Sequence, residues 1–169
     1  MSHHERSARA SPAREPDSRV PSHYLYPSCL FVPPTPHWIV TVLGTCVAVC
    51  LWDRTVHRGG MNHFMLPLWN GTGLSTPKYG NVAIRKLIEQ LESLGSKRID
   101  LVAKVFGGKT DDQNDPSHYN IGARNSDLAF QVLSDARIDV VASNLGGNFA
   151  RKILFNTETG EVLLRRHAG

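Results

Sequence analysis

Two segments of the chain carry apolar residues at the spacing of an amphipathic helix. The first, "VAIRKLIEQLESLG" at residues 82–95, ends at Gly95, a residue typical of helix C-termini. Its apolar positions are Ile84, Leu87, Ile88, Leu91 and Leu94. The second is "NSDLAFQVLSDARI" at residues 125–138, and its apolar positions are Leu128, Val132, Leu133 and Ala136. The pattern therefore predicts two helices that each pack one face on a core.

The other apolar segments are short and rich in β-branched residues. Residues 38–43 and 46–52 predict two strands joined by a tight turn, or one bent strand, with the interruption at Gly44. Three more strands are predicted in "GGMNHFMLPLW" (59–69), "RIDLVAKVFGG" (98–108) and "DVVAS" (139–143). The segment "RKILFNTETGEVLLRR" (151–166) predicts a terminal hairpin that turns at Thr159-Gly160. Together these elements predict an α+β domain with more strand than helix.

The length and the proline distribution determine the domain organisation that we expect. A chain of 169 residues with 41% hydrophobic residues is long enough for one domain with a sizeable core. Seven of its ten prolines lie in the first 37 residues, where apolar periodicity is weak. We therefore predict a disordered leader over residues 1–37, whose later aromatic part can lie on the domain, and a single domain over residues 38–169.

Charge and cysteine usage restrict the compartment and the partners. The formal net charge is +4, but no basic run is interleaved with aromatic residues, so nucleic-acid binding is not expected. The leader lacks the apolar core of a signal peptide. The apolar run at 38–52 is shorter than the ~20 residues of a membrane helix, so membrane insertion is not expected. Three cysteines make an odd number, which favours a reducing cytoplasm over a disulfide framework.

Two motifs resemble ligand sites only superficially. A zinc-finger-like spacing, C-x3-C-x6-H-x5-H, is formed by Cys46, Cys50, His57 and His63. In an extended strand, at about 3.3 Å per residue, the Cα atoms of Cys46 and Cys50 stand roughly 13 Å apart, which is too far to share one ion. "GGKT" at 107–110 mimics the end of a P-loop, but Ala103 stands where that motif requires glycine. We therefore expect no metal, no nucleotide and no other cofactor.

A cysteine and a histidine are the candidates for nucleophilic chemistry. Cys46 follows the turn at Gly44, where a substrate can reach its side chain at the mouth of a strand. His63 lies among apolar residues, where an imidazole is costly without a partner. If their segments form adjacent strands, His63 can take the thiol proton of Cys46 and hold the thiolate, and the hydroxyl of Thr41 can orient the ring. Alternatively, Cys46 packs as a small hydrophobe, as we expect for Cys50, and His63 is a core histidine.

Five motifs give the chain a resemblance to a known family. They are "VLGTCVAVCLWD", "GGMNHFMLP", "AKVFGGK", "IGARN" and "LGGNFARKILFNTETGEV". In this order and spacing they resemble the CheD family, the chemoreceptor glutamine deamidases of bacterial chemotaxis. The resemblance covers about residues 38–166. It implies that Cys46 is the nucleophile, that His63 is its base and that Thr41 completes a triad.

The resemblance also implies a fold, an activity and partners. The fold is similar to the deamidase domain of cytotoxic necrotizing factors, a mixed β-sandwich-like core flanked by helices. The activity is hydrolysis of chemoreceptor glutamines to glutamate through a thioester, with an oxyanion held near the turn. The oxyanion or cleft candidates are Gly44, Thr45, Asn62, Gly107 and Gly108. The implied partners are the cytoplasmic helices of methyl-accepting chemoreceptors and a CheC-type phosphatase, and the alternative function is a non-catalytic adaptor that binds either of them.

Overall fold

The computed structural model describes residues 15–111 and 120–167 of the chain. Within these two ranges the chain forms nine strands, two α-helices and a short 3-10 helix at Arg98–Asp100. The strands are β1 (Ser22–Tyr24), β2 (Leu30–Phe31), β3 (Trp38–Leu43), β4 (Val47–Asp53), β5 (Arg58–Asn62), β6 (Leu101–Gly107), β7 (Asp139–Leu145), β8 (Ala150–Asn156) and β9 (Val162–His167). The helices are α1 (Gly80–Ser93) and α2 (Ile121–Asp135).

The strands form two sheets that face each other. One sheet has four strands in the order β1-β3-β8-β9, and the other has five in the order β2-β5-β4-β6-β7. The core between them is apolar and takes side chains from both sheets, among them Ile39, Leu43, Ala48, Cys50, Phe106 and Phe155. Strand β4 alternates, so that Ala48 and Cys50 point into this core while Val47 and Val49 point the other way.

Both helices cover the outer face of the five-stranded sheet. A second buried cluster joins that face to the helices and includes Val47, Val49, Leu51, Ile84, Leu87, Leu91, Ala129 and Leu133. The molecule is thus an α+β domain with a mixed β-sandwich core and helices outside, which confirms the predicted fold class. The finer likeness to cytotoxic necrotizing factors stays an expectation.

Most elements confirm the sequence pattern, and their ends follow from local chemistry. Helix α1 ends in a Schellman motif, in which Gly95 N donates to Glu92 O and Ser96 N donates to Leu91 O. Gly95 has a φ of +100°, a conformation that favours glycine. The sequence pattern predicts Leu94 on the apolar face of this helix, but in the structure Leu94 is the C-cap residue and is 41% exposed. The predicted terminal hairpin is the antiparallel pair of β8 and β9.

The prediction of a disordered leader up to residue 37 is wrong for residues 22–31. Strand β1 pairs in parallel with β3, and β2 pairs with β5. Leu25, directly after β1, is only 1% exposed. Strands of three and two residues are too short to show a periodicity, and the prolines flank them, so the pattern hides them. The ordered domain therefore begins before residue 22, and the leader's residues 1–14 lie outside the described part of the chain.

The burial of Leu25 leads to a stability prediction. Leu25→Ala should lower the free energy of unfolding by ~2–4 kcal/mol, because it removes a side chain from the core between the sheets. Thermal unfolding should show a melting temperature lower by roughly 5–15 °C. Tyr26→Ala is the matched control, since Tyr26 is 66% exposed and should change stability by about 0.5 kcal/mol or less. Equal melting temperatures for the two variants would contradict the docking of this segment.

Candidate active site

The pairing of β4 with the end of β5 places Cys46 near His63. Cys50 is opposite Met61 in the antiparallel ladder, and an isolated bridge continues the same register at Val47 and Phe64. In this register Cys46 and His63 lie on one face as diagonal neighbours, an arrangement in which Cα atoms are typically ~7–8 Å apart. That face looks into the gap between the two sheets.

The ladder between β4 and β5 opens beside His63. The Val49 amide donates to the side-chain Oδ1 of Asn62 at 2.8 Å instead of to a backbone carbonyl. The backbone of His63 pairs with the preceding segment, because His63 N donates to Cys29 O and Ser28 N donates to His63 O. Asn62, a predicted cleft residue, therefore replaces one ladder bond between β4 and β5 with a side-chain contact, directly next to His63.

A threonine of the opposite sheet holds the imidazole. Thr41 lies on β3, and its Oγ1 is 2.7 Å from His63 Nδ1 and 2.7 Å from Leu25 O. A hydroxyl has one hydrogen, and a carbonyl oxygen only accepts, so the Thr41 hydroxyl donates to Leu25 O. Nδ1–H of His63 must then donate to Thr41 Oγ1. This assignment leaves the lone pair on Nε2, the nitrogen that is free to accept a proton.

Burial keeps both candidate reactive groups neutral at rest. The side chain of His63 is 2% exposed, and this desolvation lowers its pKa to about 4. Burial also raises the pKa of the Cys46 thiol, although contact of the sulfur with its own backbone N–H opposes the rise. At neutral pH the pair is therefore a thiol and a neutral imidazole, and a thiolate forms only as a proton moves.

A cavity of about 540 Å³ opens at Cys46. Its walls include Thr45 beside the thiol, Met65 and Leu66 after β5, and Gly122 at the start of α2. His63 is not part of the lining. A ligand in the cavity can thus reach the sulfur from outside, while the imidazole lies below the surface.

Two glycines at the end of β6 pack against the backbone of Cys46. Gly108 N donates to Cys46 O, and Lys109 N donates to Gly44 O, both at 2.9 Å. A Cβ on Gly107 would stand 2.2 Å from Cys46 O, so no side chain fits there. The amide of Gly108 is already used and does not serve an oxyanion. The amide of Cys46 is a better candidate, because among the described residues it donates to no carbonyl.

Comparisons with known proteins identify the family. A protein-family model described as "CheD chemotactic sensory transduction" matches residues 65–166. The "Probable chemoreceptor glutamine deamidase CheD" of Trichlorobacter lovleyi is 51% identical over 149 residues, which are 88% of this chain and 92% of that protein. The chain belongs to the CheD family. The Sulfurimonas denitrificans protein of the same name is 49% identical over 148 residues, 84% of this chain and 92% of its own.

Other comparisons extend the range of similarity. The "Chemoreceptor glutamine deamidase CheD" of Thermotoga maritima is 40% identical over 135 residues, 79% of this chain and 85% of that protein. A solved structure, the hypothetical protein YfiH of Bacillus licheniformis, has a TM-score of 0.39 and 18% identity, over 67% of this chain and 49% of that one, which is too weak a likeness to carry an argument. The match to the Trichlorobacter CheD takes in 88% of the chain and so necessarily includes Thr41, Cys46 and His63.

The structure adds a residue that the sequence reasoning missed. Asn125 on α2 is fully buried, and its Nδ2 donates to Thr45 O and to Met65 O, each at 3.0 Å. It therefore joins the segment before Cys46 to the segment after His63. The signal was its place in the CheD motif "IGARN", because the apolar pattern of α2 marks a polar residue only as an interruption.

The zinc-like spacing does not form a cluster in this CheD domain. Cys50 is buried between the sheets, and the ring of His57 stacks on Trp52 with centroids 5.4 Å apart. Across residues 15–111 and 120–167, no three His, Cys, Asp or Glu side chains gather as metal ligands would. Over the same ranges no helix has the length and apolarity needed to cross a membrane.

Proposed function

We propose that this protein is a cysteine-dependent deamidase that converts specific glutamines of chemoreceptors to glutamate and releases ammonia. Its CheD relatives are named for this activity. The observation that carries the proposal is the contact between Thr41 and His63, because it leaves Nε2 as a proton acceptor on the face shared with Cys46.

The first half-reaction forms a thioester. The glutamine carboxamide enters the cavity, the sulfur of Cys46 attacks its carbon, and Nε2 of His63 takes the thiol proton. The carbonyl oxygen becomes an oxyanion beside the amide N–H of Cys46. The C–N bond then breaks, and the imidazolium gives its proton to the departing nitrogen, so ammonia leaves. Thr41 accepts from Nδ1–H throughout and stabilises the transient charge on the ring.

The second half-reaction restores the enzyme. Nε2 of His63 takes a proton from water as the water oxygen attacks the thioester carbon. The C–S bond breaks, the proton returns to the sulfur of Cys46, and the side chain leaves as glutamate. Every proton is returned, so the cycle consumes one water per amide and needs no cofactor.

The surroundings of the cavity favour a protein substrate over free glutamine. Apolar side chains line it, and the loop between β5 and α1 exposes further ones, with Leu68 58% and Leu74 83% exposed. Lys78, Lys109 and Asp111 contribute charges of both signs to the walls. This combination suits the surface of an amphipathic helix that carries a glutamine. Binding to a CheC-type phosphatase and a cytoplasmic location belong to the same proposal.

Mass spectrometry of a receptor fragment tests the function. A receptor cytoplasmic fragment is incubated with this protein, and each glutamine is scored for the gain of about one dalton that accompanies conversion of an amide to an acid. Ammonia released in step with the mass gain supports the proposal. A fragment that stays unmodified while still binding the protein would favour the adaptor function instead.

The third member of the triad can be tested separately. Thr41→Val should lower the deamidation rate by ~10- to 1,000-fold, because the ring loses the acceptor that fixes its tautomer and orientation. Thr157→Val is the matched control, since Thr157 is also buried and its hydroxyl accepts from His37 N in another part of the molecule. Both variants should lose ~1–2 kcal/mol of stability. Equal rates for both would show that Thr41 only fills space.

A further inference from the structure

A buried arginine at the same end of the sandwich has no carboxylate partner among residues 15–111 and 120–167. Arg151 on β8 is only 1% exposed. Its guanidinium donates to Asn144 Oδ1 at 2.7 Å, to Gly107 O at 3.1 Å, and to the carbonyls of Gly146 and Phe149. All these acceptors are neutral. These bonds use four of the five guanidinium N–H groups, so one N–H remains for a ligand, and among the described residues no opposite charge neutralises the cation.

A second arginine increases the positive charge at this point. Arg166 on β9 is the cross-strand partner of Arg151, and both guanidinium groups stack on the ring of Phe149, at 4.0 and 4.1 Å from its centroid. Like charges directly opposite each other in a sheet repel. Burial and the charge of Arg166 lower the pKa of Arg151 to about 10, which still leaves it protonated at pH 7. In the described part of the chain, neither arginine forms a salt bridge.

The arginine reaches a second cavity. This cavity has a volume of about 260 Å³, and its lining residues are Phe130, Ser143, Asn144, Leu145, Gly146, Gly147, Phe149 and Arg151. Apart from Arg151 the lining has no charged side chain. A volume of this size holds one side chain or one small ion. Its chemistry, a cation with hydroxyl, amide and aromatic neighbours, is suited to an oxyanion.

The two cavities share one backbone segment. Residues 107–110 run between them, since Lys109 lines the cavity at Cys46 and Thr110 N donates to Gly147 O at the other cavity. Arg151 holds the carbonyl of Gly107, which packs against the backbone of Cys46. Among the described residues, this segment therefore separates a polypeptide bound at Cys46 from the arginine.

We propose that the cavity at Arg151 is an oxyanion subsite that receives the carboxylate of an acidic side chain on the polypeptide whose glutamine lies at Cys46. This inference rests on the proposed function for the identity of the ligand. The subsite gives the enzyme a preference for glutamines with an acidic residue nearby. Arg151 and Arg166 act here in binding, and neither takes part in the chemical steps.

Asn144→Asp separates this subsite from a merely structural arginine. The new carboxylate would lie where Oδ1 accepts from Arg151 Nε, so it would neutralise the cavity from within and strengthen that hydrogen bond. If Arg151 is only structural, the Asn144→Asp protein should become more stable and show no other change. If Arg151 binds a ligand, the Asn144→Asp protein should become more stable and also lose that binding. Asn148→Asp is the matched control, because Asn148 is an exposed residue of the same loop and receives the same change of charge.

The experiment combines binding with kinetics on the full chain. A hexaglutamate peptide, a hexaglutamine peptide and inorganic phosphate are titrated separately at low salt into the wild type and both variants. We expect the wild type to bind hexaglutamate and not hexaglutamine, Asn144→Asp to weaken this binding about tenfold or more, and Asn148→Asp to change it by about twofold or less. The melting temperature of Asn144→Asp should equal or exceed that of the wild type. On the receptor fragment, KM should rise about tenfold for Asn144→Asp with kcat retained.

Several outcomes would overturn the proposal. Unchanged hexaglutamate binding in Asn144→Asp would do so, as would equal weakening in Asn148→Asp, which indicates a general surface charge. Binding of phosphate alone would assign the cavity to a free ion instead of a side chain. If the receptor fragment is never deamidated but hexaglutamate binding depends on residue 144, the proposed function fails and the oxyanion site stands.

Discussion

Replacing Cys46 with alanine should abolish deamidation and leave the fold intact. The thiol is the only group at the cavity that the proposed mechanism joins covalently to the substrate, so no other side chain can form the thioester. Cys46 is half-buried at the edge of the core, and its loss should cost about 1 kcal/mol of stability or less. Activity is measured as ammonia release from a receptor fragment, and folding by circular dichroism and thermal unfolding.

Cys50→Ala is the control for this variant. Cys50 lies four residues after Cys46 and points to the same side of the sheet. It is 1% exposed and packs between the sheets. Its replacement should cost ~1–2 kcal/mol and leave the rate per folded molecule nearly unchanged. The opposite result, an active Cys46→Ala protein or an inactive but folded Cys50→Ala protein, would contradict the assignment of the nucleophile.

His63→Ala should lower the deamidation rate by ~10²- to 10⁴-fold, the usual contribution of a general base. It should also slow alkylation of Cys46 by iodoacetamide near neutral pH, because the raised pKa of the thiol leaves little thiolate without a base. Binding to the receptor fragment should persist, since docking involves a wide surface. His37→Ala is the control, because its ring contacts Thr35 O and Phe31 away from the thiol.

The pH dependence of His63 gives a second measurement on the same residue. Its folded pKa of about 4 lies below the value of 6.5 for a free histidine, so the unfolded chain binds the proton more readily. The stability that neutral His63 contributes is therefore complete above pH 6.5 and is lost as the pH falls toward 4. His63→Ala should flatten this part of the stability curve. If His63→Ala flattens the stability curve but leaves alkylation of Cys46 unchanged, His63 is a core histidine and not the base.

The apolar pattern predicted those parts of the molecule whose burial repeats over a turn or a strand. Helix α1 and the β8–β9 hairpin are long enough for period and turn residues to agree. Strands β1 and β2 are too short for this, and their order comes from pairing with β3 and β5, which no local pattern records. Arg151 was equally hidden, because in "RKILF" it occupies an ordinary polar position, and its burial comes from residues 144–149 and the end of β6.

The residues of the candidate site differ in how far the sequence predicts their contacts. Adjacent strands were expected to bring Cys46 and His63 together, and the register of β4 and β5 places them as diagonal neighbours. The contact of Thr41 with His63 crosses between sheets, so the position of Thr41 before the turn could only suggest it, and the family resemblance implied it as well. Asn125 was missed because its side chain donates to backbone carbonyls. Every residue has a backbone carbonyl, so the sequence does not show which ones a side chain will contact.

The candidate triad is divided between the two sheets: Thr41 lies on β3 of one sheet, while Cys46 directly precedes β4 and His63 directly follows β5 of the other. Their link across the gap is a hydrogen bond of 2.7 Å, and such bonds weaken as the distance grows beyond ~3.2 Å. Sliding one sheet over the other by less than the width of an atom would release the imidazole while every strand kept its partners. If the triad is catalytic, the rate depends on how the two sheets are aligned, and we expect substitutions deep between the sheets to lower activity without changing the cavity.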